Sequence, residues 1–306
     1  MDTRKALDGQ GMGIMLALCM VWGLQQVELK ATAAEIAPLL QIALRSGIAA
    51  LLVVILMLWQ KEKAGFALTW KAGLLAGLLF GLEFVFVGEG LRYTTASHMT
   101  VLLYTAPIFV ALAMHWHFPA ERLSWVQWLG VGLAFAGIVV TFLGENAGIA
   151  GKGVLWGDFL GLLAGVFWAA TTVVIRSSCL AKAPASLTLL YQLGVAFVLL
   201  LLASILMGQT HIQLTPLVWG GLLFQGVLVA FISFLIWFGL LRRYMAADLG
   251  IFSFLTPLFG VVFGVWLLDD PLEPHFMVGS MMVLGGILVV SGYRWYVWRF
   301  GVKGGG

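Results

Sequence analysis

Ten apolar runs, each near the length needed to cross a bilayer, occupy almost all of this 306-residue chain. A spanning helix needs about 20 mostly apolar residues. The runs read as spans at 11–29, 36–59, 72–91, 96–118, 125–143, 153–175, 186–207, 217–241, 246–268 and 275–297. A soluble domain carries about 25% charged residues, whereas this chain has 10% and is 61% hydrophobic. The chain is therefore read as an all-α integral membrane protein. The connections are too short for a soluble domain. The run after "MDTRKALDGQ" lacks a small-x-small cleavage site and reads as a retained first span.

Basic residues orient such a chain, because positive loops stay in the cytoplasm. With the N-terminus inside, 13 of the 17 Lys and Arg fall on cytoplasmic segments, from Arg4 and Lys5 to Lys303. Only Lys30, Arg92 and Lys152 fall outside, and Arg45 is within a span. This predicts both termini in the cytoplasm of a bacterial-type inner membrane. Tryptophans near span ends, such as Trp59, Trp70, Trp116 and Trp266, fit an interfacial belt. The dispersed basic residues do not predict a nucleic-acid partner.

The chain echoes itself at a separation near 150 residues. "WLGVGLAFAGIVV" at 128–140 aligns with "MVGSMMVLGGILVV" at 277–290, setting Gly130 on Gly279 and Gly137 on Gly286. "ASHMTVLLYTAP" at 96–107 aligns with "AADLGIFSFLTP" at 246–257, setting Pro107 on Pro257. Trp22 pairs with Trp168 at a slightly shorter offset. Five spans per copy is odd, so the second copy enters the membrane inverted. The predicted architecture is two inverted five-helix repeats, 1–143 and 153–298, joined by an outer linker at 144–152 around a central cavity. Inverted repeats about a midplane site are an architecture of secondary transporters.

The order of these motifs resembles the drug/metabolite transporter superfamily, specifically its EamA-type members. The resemblance rests on "WG" at 22–23, Arg45, "GLRYTTAS" at 90–97, Pro107 and "ERLS" at 121–124. Tyr104 before the proline, Trp168 in span 6 and Glu83 in span 3 are similar to YddG-like aromatic amino-acid exporters. Ala106 differs, since those exporters often carry tryptophan there.

No Ser-His-Asp order, phosphate loop or metal-ligand spacing is present, so neither enzyme chemistry nor a metal or cofactor is expected. The "HWH" at 115–117 points its two histidines about 200° apart on a helix and reads as interfacial. Ionisable residues within spans face a partner or a cavity. Arg45 reads either as a structural ion pair or carbonyl cap, or as a group receiving an anion. Glu83 reads as an amine partner or proton site, or as the partner of Arg45. Glu89, Asp158 and His98 lie near the outer interface and are expected to be hydrated. His98 and Trp22 are also gate candidates, His98 because its pKa lies near neutrality.

Thr100, Tyr104, Pro107 and Ala111 form one stripe on span 4. Asp158, Gly161, Gly165 and Trp168 form another on span 6, with the glycines read as packing. The expected cavity lining is Arg45, Glu83, Tyr104, Pro107, Trp168, Tyr191 and Gln192. Pro107 and Pro257 are expected to kink their helices alike. These readings describe a membrane exporter of small amphipathic metabolites, foremost aromatic or hydrophobic amino acids, working by alternating access, with a proton as a second partner. The alternatives are an exporter of cationic or lipophilic compounds and a non-transporting scaffold or sensor.

Overall fold

A computed structural model describes residues 7–62, 65–117, 122–143, 149–244, 249 and 252–300. Its helices are α1 (Gly9–Ala31), α2 (Pro38–Trp59), α3 (Phe66–Gly90), α4 (Ala96–Leu103), α5 (Ala106–His117) and α6 (Trp125–Leu143). They continue with α7 (Ile149–Ser177), α8 (Ala185–Leu206), α9 (Pro216–Leu223), α10 (Phe234–Arg243), α11 (Leu255–Leu268) and α12 (Pro274–Phe300). A π-helical stretch, Phe224–Ser233, joins α9 to α10. Among the described residues, eight helical segments are long and apolar enough to cross a membrane, two of them composite (α4 with α5, and α9 through the π-helical stretch into α10), and two shorter apolar helices cover Trp125–Thr141 and Leu255–Leu268. The molecule is a multi-pass membrane protein. Its outer surface agrees, since Leu58, Leu206 and Met281 are 73%, 85% and 66% exposed, a surface that water would not tolerate but lipid does.

Local chemistry sets many helix starts. Asp8 Oδ1 accepts from Gly11 N at 2.9 Å to open α1, and Thr95 Oγ1 accepts from His98 N at 3.1 Å to open α4. Pro38 and Pro216 sit in the first turns of α2 and α9, where a missing N–H costs nothing.

The structure departs from the sequence expectations in several places. Span 3 begins at Phe66, earlier than predicted. Residues 149–152 of the expected linker are already helix α7, and 144–148 lie outside the described residues. Span 4 is two helices rather than one bent helix: α4 stops at Leu103, the chain turns at Tyr104–Thr105, and α5 resumes at Ala106. Pro107 has no N–H to continue the ladder. The Thr105 hydroxyl donates to Leu102 O at 2.6 Å, which helps satisfy the carbonyls of the broken turn. Ser253–Phe254 form a corresponding turn before α11, which contains Pro257.

The bundle has two ends. One carries the α1–α2, α3–α4 and α8–α9 connections, and will be called the α4 end. The opposite end carries Asp8, whose carboxylate accepts from Tyr244 Oη at 2.7 Å. The main pairings are α6 with α12, α3 with α7 and α8, α2 with α8, and α1 with α11.

Candidate functional site

Two consecutive helices, α1 and α2, meet the π-helical stretch, remote from both in sequence, around one carboxylate. Glu28, near the end of α1, accepts from Gln41 Nε2 of α2 at 2.7 Å on Oε1. Its Oε2 accepts from Gln225 Nε2 of the π-helical stretch at 2.6 Å. Gln225 Oε1 in turn accepts from Arg45 Nη1 at 2.6 Å. The Thr32 hydroxyl donates to Gln41 Oε1 at 2.7 Å. Each amide thus donates to the carboxylate and accepts from another donor, a chain in which the hydrogen bonds polarise one another.

The Arg45 guanidinium lies over the Phe84 ring of α3, 4.3 Å from its centroid. This is a cation–π contact in a desolvated place. Arg45 is 3% and Glu83 4% exposed, and the two are within electrostatic reach of each other. Two polar atoms are left over. Arg45 Nε and Glu83 Oε2 are buried without a hydrogen-bond partner. Such atoms cost about 1–3 kcal/mol each, more when charged.

Tyr104, at the break between α4 and α5, is in electrostatic reach of Glu83 and adjoins Thr256 of α11. Its ring meets Trp168 of α7 edge to face, with centroids 5.1 Å apart. The structure therefore groups Arg45 with Glu83, Glu83 with Tyr104 and Tyr104 with Trp168. Pro107 follows Tyr104 by one turn and is half-buried.

Other sequence candidates lie apart from this cluster. The Tyr191 hydroxyl pairs with Thr69 Oγ1 at 3.2 Å and its ring meets Phe66, placing it near the start of α3 toward the opposite end. Gln192 is buried in α8. Trp22 Nε1 donates to Ser233 Oγ at 2.8 Å, and its ring stands edge-on to Trp237. His115 Nδ1 accepts from Leu123 N at 2.8 Å, a structural role within "HWH". Among the described residues, no cluster of three or more His, Cys, Asp or Glu could hold a metal ion.

The expected hydration of Asp158 and His98 is overturned. Asp158 is fully buried and His98 is 4% exposed. Asp158 Oδ2 pairs with His98 Nδ1 at 2.8 Å, Oδ1 accepts from the Thr94 hydroxyl, and the His98 ring stacks on Phe276 at 3.9 Å. Nearby, Lys30 Nζ donates to Leu91 O and Thr94 O at 2.6 and 2.8 Å. Asp270 Oδ2 accepts from the amide and hydroxyl of Ser97 at 2.9 and 2.8 Å. These bonds tie α1, α4, α7 and the α11–α12 connection together at the α4 end. Glu89 pairs with exposed Arg92, as an interfacial group would, and also accepts from Gln209. Asp158→Ala would leave the Thr94 hydroxyl and the His98 ring without their acceptor. The expected loss is about 1–3 kcal/mol, read as a lower unfolding temperature of the purified protein in detergent.

Glu28 and Gln225 were missed in the sequence. Glu28 is next to the predicted end of span 1 and two residues from Lys30, so it reads as interfacial. Gln225 carries no charge and interrupts its apolar run only once. Gly221 is a further hidden requirement. A Cβ there would overlap Glu28 Oε1 and come within 3.2 Å of Gln41 Nε2. Gly221→Ala should displace the carboxylate at a cost of about 1–3 kcal/mol, again visible in thermal unfolding.

Residues 9–143 and 155–292 match the EamA-like transporter family. Among curated relatives, the transporter YvbV of Bacillus subtilis is 27% identical over 94% of this chain and 92% of its own length. A probable amino-acid metabolite efflux pump of Salmonella typhimurium is 26% identical over 92% of this chain and 95% of its own. A solved crystal structure aligns with a TM-score of 0.64 at 19% identity, over 95% of this chain and 99% of that one. It supports the fold alone.

Proposed function

The chain belongs to the EamA-like transporter family, and on that premise we propose that it exports small amphipathic metabolites, foremost aromatic or hydrophobic amino acids, by alternating access. The observation carrying this reading is the pair of orphaned atoms in the central cluster. Arg45 Nε is a buried donor and Glu83 Oε2 a buried acceptor, each without a partner. A zwitterion supplies what each lacks, a carboxylate for the first and an ammonium for the second. The neighbouring Tyr104–Trp168 pair offers an apolar aromatic wall to the side chain. The name of the Salmonella relative is in keeping with this cargo.

The architecture behind the proposal is ten crossings in two inverted repeats, 1–143 and 153–298. The glycine contacts support it. Gly130 and Gly137 align in sequence with Gly279 and Gly286, yet Gly130 packs against Gly286 and Gly137 against Gly279. An exchange of this kind is what a two-fold axis between copies produces. The helix pairings agree, because α1 with α11 mirrors α7 with α4 and α5. The basic residues then put both termini in the cytoplasm of an inner membrane and the α4 end outside. In this arrangement the Lys30, Asp158 and Asp270 network is the outer closure, with His98 as part of its latch, while Trp22 lies on the inner side of the cluster.

Radiolabelled phenylalanine flux from proteoliposomes tests the reading. Wild-type protein should release it, and Glu83→Gln should reduce release at least tenfold. Absence of flux for every aromatic or hydrophobic amino acid would sink the cargo assignment. Repeating the assay across a pH gradient decides whether a proton moves with the cargo.

A further inference from the structure

The two ends of the bundle are closed by bonds that repeat one another. At the α4 end the Thr94 hydroxyl donates to Asp158. At the opposite end the Tyr244 hydroxyl donates to Asp8 Oδ1 at 2.7 Å. Asp8 and Asp158 are 150 positions apart, and so are Thr94 and Tyr244, the separation that also sets Pro107 on Pro257. The packing repeats as well. A Cβ at Gly157, next to Asp158, would come within 2.8 Å of Thr94 Cβ, and one at Gly11, close after Asp8, within 2.9 Å of Tyr244 Cζ. Each hydroxyl-bearing residue therefore lies against bare backbone beside the carboxyl group that holds it.

The two bonds cross between the halves in opposite senses. Asp8 and Thr94 lie in the first repeat, Asp158 and Tyr244 in the second, so each bond ties one repeat to the other at one face only. Thr94 and Tyr244 are 2% and 3% exposed. Separating either from its carboxyl group is costly unless water takes the vacated bond, and the opening of that face admits the water. Asp8 Oδ1 also accepts from Gly11 N, so α1 keeps its cap when Tyr244 lets go. Two repeats that rock about a midplane site part at one face as they close at the other.

We infer that the Asp8–Tyr244 bond is the inner latch of the protein, the repeat-related counterpart of Asp158–Thr94, and that the two latches together set which face opens. Weakening one tilts the repeats toward opening at its own face and holds the other face shut. The inference rests on the two-repeat transporter reading, but its test needs no cargo.

Cys19 is a native reporter for both faces. It is fully buried in α1, donates to Phe252 O at 3.3 Å and shares an apolar cluster with Tyr244 and Leu249. It is also in electrostatic reach of Tyr104 in the central cluster. Cys179, the other cysteine, is exposed and is removed by Cys179→Ser to give the parent protein. A membrane-impermeant maleimide is applied to inside-out and right-side-out vesicles. At the inner face, Tyr244→Phe should label about tenfold faster than the parent, the scale of one lost buried hydrogen bond to a carboxyl group, while Thr94→Val should label no faster. At the outer face the order should reverse. Both substitutions keep the shape of the side chain, so packing is preserved. Acceleration of both variants at both faces would mean general loosening and overturns the proposal. So does labelling of Tyr244→Phe at the parent rate from the inner face. Phenylalanine flux by wild-type protein, measured separately, distinguishes failure of the latches from failure of the cargo assignment.

Discussion

Arg45→Ala should be the most damaging single change in the central cluster. It removes the guanidinium that faces Glu28 and Glu83, takes the donor from Gln225 Oε1 and strips the cation from Phe84. Deleting one partner of buried charges costs about 3–5 kcal/mol, because the other is left uncompensated. Protonation of a carboxylate limits the loss, since a buried group neutralises rather than remain charged alone. Arg45→Lys keeps the charge but not the planar fork, so it should recover part of the stability. Arg45→Ala combined with Glu28→Gln is the decisive variant. If unbalanced charge causes the damage, the double variant is more stable than Arg45→Ala alone. Thermal unfolding in detergent gives this ranking, and wild-type stability in Arg45→Ala would refute the account. Phenylalanine flux should be lost in Arg45→Ala, as the proposed carboxylate partner has gone.

Gly286→Val should separate α6 from α12. A Cβ at Gly286 would overlap Gly130 O and come within 2.7 Å of Ala134 N, while one at Gly137 would lie 2.6 Å from Gly279 O. These are backbone neighbours, which cannot move aside as a side chain tip can. Overpacking costs about 1–3 kcal/mol and sometimes more, and small residues are what allow membrane helices to approach so closely. The expected result is a sharp fall in folded, monodisperse protein on extraction. Gly132→Ala is the control on the same helix, because its Cβ meets nothing within 4 Å. It should be neutral or stabilising by up to about 1 kcal/mol from helix propensity. Equal yields for the two variants would show that the glycine crossing does not hold the pair together.

Much of the fold was legible from local signals. Apolar run length marked the apolar membrane helices, and Pro107 marked a break. That the break would become a full turn between α4 and α5 was not legible, because a proline fixes only which bond is lost. How the neighbouring groups are then satisfied depends on Thr105 and on what packs around Tyr104. Asp158 shows the same limit from another direction. Its place early in a span suggested water, but Thr94 of the α3–α4 connection and His98 of α4 supply its hydrogen bonds and exclude solvent.

Sequence alone determined that the chain lives in a bilayer, that its polar residues within spans are few, and that two stretches echo each other. These follow from composition, run length and short-range spacing, which are properties of neighbours along the chain. Tertiary structure alone decided which polar groups meet. Gln225 is separated from Arg45 by 180 positions and from Glu28 by 197, and no periodicity encodes such a pairing. Away from water, the side chains of Glu28, Gln41, Arg45 and Gln225 draw partners from one another's helices. The packing that brings α1, α2 and the π-helical stretch together is therefore what turns an inconspicuous Glu28 into the centre of the site.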